Sequence, residues 1–166
     1  VPCYSLTMSS QWKTIEYRGG LVTFRIPHHW IEEYETEGGG TFYADEPNSP
    51  TLRLNVISLE SPSPLSEQTP ADLLNRGADA LGAPVRRLPN GDACRSYSIP
   101  ATEQGVALVI HRWEVANAFP PRNARIAMFA FATLASEQSK ISEHLVWLDR
   151  EITACRLSRD PGIQMN

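Results

Sequence analysis

The chain has 166 residues, of which 42% are apolar and 20% charged, and its net charge is −4. That balance fits one globular domain with a sizeable core and excludes the disordered, fibrous and collagen-like classes. The longest nearly apolar run, Ile126 to Ala135, reaches only about half the length of a membrane-crossing helix, so no direct membrane insertion is expected.

The first expected element is a short strand, Thr14–Arg18, after a disordered or tag-like start over residues 1–13. Val1 stands first, and the stretch to Thr7 reads either as a remnant ahead of Met8 or as the stump of a processed precursor. Gly19-Gly20 turns the chain into Leu21–Ile26. There Val22, Phe24 and Ile26 share one side while Leu21, Thr23 and Arg25 take the other, the alternation of a half-buried strand. Pro27 has no N–H to give and ends that ladder. His28-His29-Trp30-Ile31 follows as a corner, with Trp30 as a lid on the core. Residues 32–46 read as a solvated acidic loop, with Gly38-Gly39-Gly40 as an elbow into a short strand, Thr41–Ala44. After the turn-rich 45–50 segment, Thr51–Leu59 alternates again, with Leu52, Leu54 and Val56 inward.

Thr69-Pro70-Ala71-Asp72 predicts a helix start: Thr as N-cap, Pro in the first turn, an acid near the helix's positive end. Ala71, Leu74, Ala78 and Leu81 line one side, and Gly82 ends the helix. Asn90-Gly91 predicts a type I′ hairpin between Pro84–Pro89 and Ala93–Ile99, since that turn needs positive φ at both positions. Val106–Ala116 is a long strand that is apolar on both faces. The strand Arg125–Leu134 presents two apolar sets, Ala127/Phe129/Phe131 and Ile126/Met128/Ala130/Leu134, which calls for cover on both sides. A closing helix capped by Ser136 buries Ile141, Leu145, Leu148, Ile152 and Cys155, a stripe at helical spacing. Arg150, Arg156 and Arg159 gather at its end, and residues 159–166 form a tail. Hairpin-linked strands with two helices predict an α+β fold: one domain over 14–158, a mainly antiparallel sheet flanked by helices.

Charge is unevenly spread. Residues 1–83 hold five basic against eleven acidic side chains, and residues 84–166 hold ten against eight. No Lys or Arg lies between Ile26 and Leu52, which argues against a nucleic-acid face. Cys3, Cys94 and Cys155 are too few and too scattered for a disulfide framework or zinc site. Cys94 and Cys155 read as small buried hydrophobes, a bridge between them being the open alternative, and a reducing cytoplasm is the expected compartment. His28 and His29 point to opposite sides of an extended segment. A spatial site of His29, His111 and Asp45 is the only metal arrangement worth weighing, and neither metal nor cofactor is expected. No nucleophile elbow or phosphate loop occurs, and a Cys94/His111 pair reads as packing.

The Gly19-Gly20 turn followed by Leu21-Val22-Thr23-Phe24-Arg25-Ile26-Pro27-His28-His29-Trp30 resembles the PsbP/Mog-type superfamily, whose members open with a similar Phe-x-apolar-Pro-x-x-Trp run. The order of elements is similar from Tyr17 to Leu157, and residues 20–30 carry the likeness in sequence. The resemblance implies an α/β/α sandwich and a protein that binds other proteins, as photosystem-associated, Ran-binding and secretion-effector chaperone members do. The expected function is therefore a non-enzymatic adaptor or chaperone, with an apolar segment of a bacterial secretion effector as one partner and a homodimer left open. Trp30, Glu32, Glu33, Glu35, Tyr43, Trp113, Arg125 and Phe129 are the expected partner-binding residues. Two rivals are a small-ligand, metal or enzyme pocket near Trp30, Tyr43 and His111, and an immunity-type inhibitor using the acidic loop.

Overall fold

The computed structural model describes residues 11–76 and 82–158. Among the described residues, ten strands make two antiparallel sheets. The large sheet runs β3(Ile31–Tyr34), β4(Gly40–Tyr43), β5(Thr51–Glu60), β9(Asn123–Leu134), β8(Val106–Phe119), β7(Ala93–Glu103), β6(Arg86–Arg87) in spatial order. The small sheet joins β1(Trp12–Tyr17) and β2(Val22–Pro27) to β10(Arg156–Leu157). This is the α+β sandwich expected from hairpin succession, with the Arg125–Leu134 segment at its centre as β9, between β5 and β8.

The small sheet and the closing helix α2(Ser142–Thr153) cover one face, here the inner face, of the large sheet. Val22, Phe24 and Ile26 lie inward as predicted, beside Ile15 and Tyr17. Phe24 stands edge-on to Phe42 (5.4 Å) and Phe129 (5.2 Å), so three strands from two sheets meet at one aromatic node. Burying each such ring contributes roughly 1.5–3 kcal/mol. The helix stripe lands on the same core: Ile141, Leu148, Ile152 and Cys155 are buried.

Several boundaries depart from expectation, each for a local reason. β1 begins at Trp12, inside the stretch read as disordered, because Trp12 pairs with Pro27 and packs on Trp147. The 32–46 segment is not one loop. Glu32 and Glu33 sit on β3, whose edge position lets acidic side chains keep their water. Gly38 and Gly39 form the turn that returns the chain into β4. Asn90-Gly91 lies in a five-residue connection between β6 and β7, with positive φ at Gly91 only. The tight turn is Gln104-Gly105 between β7 and β8, with φ of 51° and 78°, the type I′ pattern. Ser136 does not cap α2. A 3-10 turn over Ala135–Lys140 intervenes, and Ile141 precedes the helix without a side-chain cap. α1 spans Thr69–Arg76, with Thr69 accepting from the Ser66 N–H instead of capping. Ala78 and Leu81 lie outside the described residues.

The opposite, outer face of the large sheet is covered differently. α1 packs over β7 and β8 only at one end, where Leu74 meets Ala93 and Ala116 beside Ile126. The two apolar faces of β9 are therefore unequal. Ala127, Phe129 and Phe131 are sealed, whereas Ile126, Met128, Ala130 and Leu134 stay half-buried.

Candidate partner-binding surface

The antiparallel register fixes which side chains share the outer face. From β5 come Arg53, Asn55, Ile57 and Leu59, from β9 Ile126, Met128, Ala130 and Ala132, and from β8 Ile110, Arg112 and Glu114. β7 adds Ile99, Tyr97 and Arg95. Ile57 is 41% exposed and Leu59 38% exposed, unusual for large aliphatic side chains in a seven-stranded sheet. Arg95 and Glu114 pair at 2.5 Å on this face, and Tyr97 also donates to Glu114. The arrangement is an apolar strip with charged members at intervals, a composition suited to contact with another polypeptide.

Of the predicted contact residues, Glu32, Glu33, Glu35 and Tyr43 gather at the β3–β4 margin. Lys13 pairs with Glu32 at 2.9 Å, and Tyr34 donates to the same carboxylate, holding it below the usual range. Tyr43 donates to Glu33 at 2.5 Å, which pushes the phenol up. Burial, and then the Glu32 hydrogen bond, push Tyr34 up as well. Trp30, Trp113 and Phe129 lie elsewhere: they are at most 4% exposed and belong to the core. Trp113 donates its indole N–H to Asp149 of α2, and Trp30 stacks on Phe131. Arg125 stands over Phe119, donates to Ser58 and holds the Ser158 carbonyl, so it fastens the end of the described chain.

Trp30, Tyr43 and His111 do not converge. Tyr43 projects from the outer face, whereas His111 is on the inner face, bonded to Ser98 and Gln138 and held below its ordinary pKa by burial. What Trp30 does border is a cleft of about 640 Å³ between the small sheet and α2, lined also by Trp12, Trp147, His28, His29 and His144. His144 stacks on Phe131, and its buried Nδ1 has no hydrogen-bond partner among the described residues. No three metal-ligating side chains converge among the described residues.

A second hollow of about 550 Å³ lies by the β6–β7 connection. Its buried acid, Asp92, accepts from Asn90 and Asn117, and desolvation pushes its carboxyl up to about 6. Cys94 and Cys155 are buried free thiols, and burial raises the Cys94 thiol to about 11. Sequence reasoning missed Asp92, His144, Arg53 and Arg112. The last two had a readable signal, an arginine inside a strand that also carries several large aliphatic side chains.

No protein-family model matches the chain, and no curated protein matches it in sequence. Solved structures do. A Bacteroides thetaiotaomicron protein is similar with a TM-score of 0.59 at 15% identity, over 90% of this chain and 50% of that one. LpqN, involved in cell envelope biogenesis of Mycobacterium tuberculosis, is similar with a TM-score of 0.61 at 12% identity, over 85% of this chain and 88% of its own. The Ran-binding protein Mog1p of Saccharomyces cerevisiae gives 0.51 at 11% identity, over 88% and 95%. The chain thus spans half of the Bacteroides protein and most of the other two. Its fold is that of LpqN and Mog1p, in line with the expected resemblance.

Proposed function

We propose that this protein is a non-enzymatic binding module, an adaptor or chaperone, that holds a segment of another polypeptide on the outer face of its large sheet. The observation that carries this reading is the half-open strip Ile57, Leu59, Met128, Ala130 and Ile110, left uncovered beyond α1 in an otherwise sealed sandwich. Closing such a strip with apolar side chains would gain about 25 cal/mol per Å² removed from water, less the cost of ordering the segment. The same fold in a Ran-binding protein supports a binding role and leaves the partner open. The proposed partner class is a segment of another polypeptide, such as a secreted effector, that presents apolar side chains to the strip.

The test is a photo-reactive amino acid placed at Ile57 and, as control, at Glu16 on the small sheet, in the chain expressed in its own host. A defined polypeptide joined through position 57 and not position 16 is the expected result. No product at position 57, or equal products at both, would overturn the assignment of the outer face. A second reading, a small-ligand site, is favoured by the unpartnered His144 Nδ1 beside the tryptophan cleft. It predicts that a bound compound shifts the His144 ring resonances and leaves the β5 and β9 amides unchanged.

A further inference from the structure

One row of the outer face has its own chemistry. Arg53 on β5 and Arg112 on β8 both stand opposite Ala130 on the central strand. With neighbouring strands about 4.8 Å apart, their Cα atoms lie roughly 10 Å from each other, within the reach of two guanidinium arms that meet above a methyl floor. Both are exposed, and neither makes an ion pair among the described residues. Arg95 and Glu114 in the next row are spent on each other. The nearest acid along the row, Glu33, stands beyond Thr41 and already accepts from Tyr43. On one side the row is bordered by Asn55, Met128 and Glu114, with Ile57 one row further, and on the other by Thr51, Ala132 and Ile110.

We propose that Arg53 and Arg112 form a carboxylate seat and that the partner is an acidic, amphipathic polypeptide segment. Its Asp or Glu side chain lies over Ala130 between the two guanidinium groups, and its apolar side chains cover Ile57, Met128 and Ile110. Charge complementarity selects this occupant. Two fork-shaped donors, without an ion pair among the described residues, stand in the middle of a largely apolar strip. A purely apolar partner would have to cover these guanidinium groups and leave them without acceptors. The proposal rests on the outer face being the docking surface and adds the partner's chemistry.

The experiment uses three labelled peptides of alternating Leu–Glu, Leu–Gln and Leu–Lys, read by fluorescence anisotropy and amide chemical shifts on the full chain. The Leu–Glu peptide is expected to bind, to shift the amides around Ala130, and to weaken steeply with added salt. The double variant Arg53→Gln/Arg112→Gln is expected to lose about tenfold or more of that binding. Double Arg→Lys is expected to restore only part of it, with thermal unfolding unchanged throughout. Equal binding of Leu–Gln or Leu–Lys, or binding that survives the double variant, overturns the seat. If polypeptide still cross-links at Ile57 after Arg53→Glu/Arg112→Glu, the seat fails while the docking face stands. If no cross-link forms in the parent chain, the face itself fails. A dimer in sedimentation that these charge reversals dissolve would make a second copy the occupant and overturn the partner named here.

Discussion

Arg25→Met should destabilise the fold more than removing both members of its ion pair. Arg25 of β2 donates to Glu151 of α2 from Nε at 2.8 Å and from Nη2 at 2.7 Å, and Arg150 adds a third bond at 3.1 Å. Glu151 is 4% exposed and Arg25 49% exposed. Stripping one partner from a fully buried pair costs roughly 3–5 kcal/mol. Because Arg25 is half in water and Arg150 remains, the expected loss falls to about 1.5–3 kcal/mol. Methionine keeps the stem that lies near Trp12, so packing changes little. Arg25→Met/Glu151→Met removes the stranded carboxylate and should return to within about 1 kcal/mol of the parent. Urea unfolding followed by tryptophan fluorescence measures all three. Burial opposes ionisation of Glu151, but the Arg25 and Arg150 bonds outweigh it and hold the carboxyl below its ordinary value. Its contribution is therefore complete above the unfolded carboxyl value, about 4.3, and is lost as pH falls through the lower folded value. The gap between parent and Arg25→Met should close in acid. Equal destabilisation of the single and double variants, or a gap that persists at low pH, would refute the reasoning.

Asp92 has the opposite sign: its folded carboxyl lies near 6, above its unfolded value, so its contribution is lost as pH rises between about 4 and 6. The loss is up to about 3 kcal/mol. Asp92→Asn should flatten that part of the stability–pH curve, measured by urea midpoints across the window. Gly40→Ala puts a Cβ 2.9 Å from the buried Phe42 ring, at a backbone conformation that alanine adopts freely. The steric cost should be about 1–3 kcal/mol in thermal unfolding. Gln104→Asn suits the positive φ of the β7–β8 turn better and should stabilise by about 0.5 kcal/mol in the same assay.

Period-two patterning made β2, β5, β8 and β9 legible, and helical spacing fixed the inward stripe of α2. Alternation reports which side chains share a face. It does not report how far each face is covered, so the half-open state of Met128 and Ala130 needed the packing of α1 to be seen. β3 was illegible because an edge strand with glutamates has the composition of a loop. Trp30, Trp113 and Phe129 were expected at a contact surface because large aromatics serve both cores and interfaces, and only the register separates the two. Glu32, Glu33 and Tyr43 do share one margin, held together by Lys13 and the tyrosine hydroxyls. Arg53 and Arg112 are far apart in sequence and meet only through Ala130, a juxtaposition no local spacing encodes.

The two ends of the large sheet carry a consequence for behaviour at high concentration. β6 covers only Ala93 and Cys94 of β7, so the border at that end is the rest of β7, interrupted by Pro100, which has no N–H to give. At the other end, a β3 docked on a copy of itself would bring glutamates from both molecules together. The proline in one border and the glutamates on the other are features that discourage edge-to-edge pairing. With both borders poor at strand pairing, the broad face is the route by which this sheet would meet another chain.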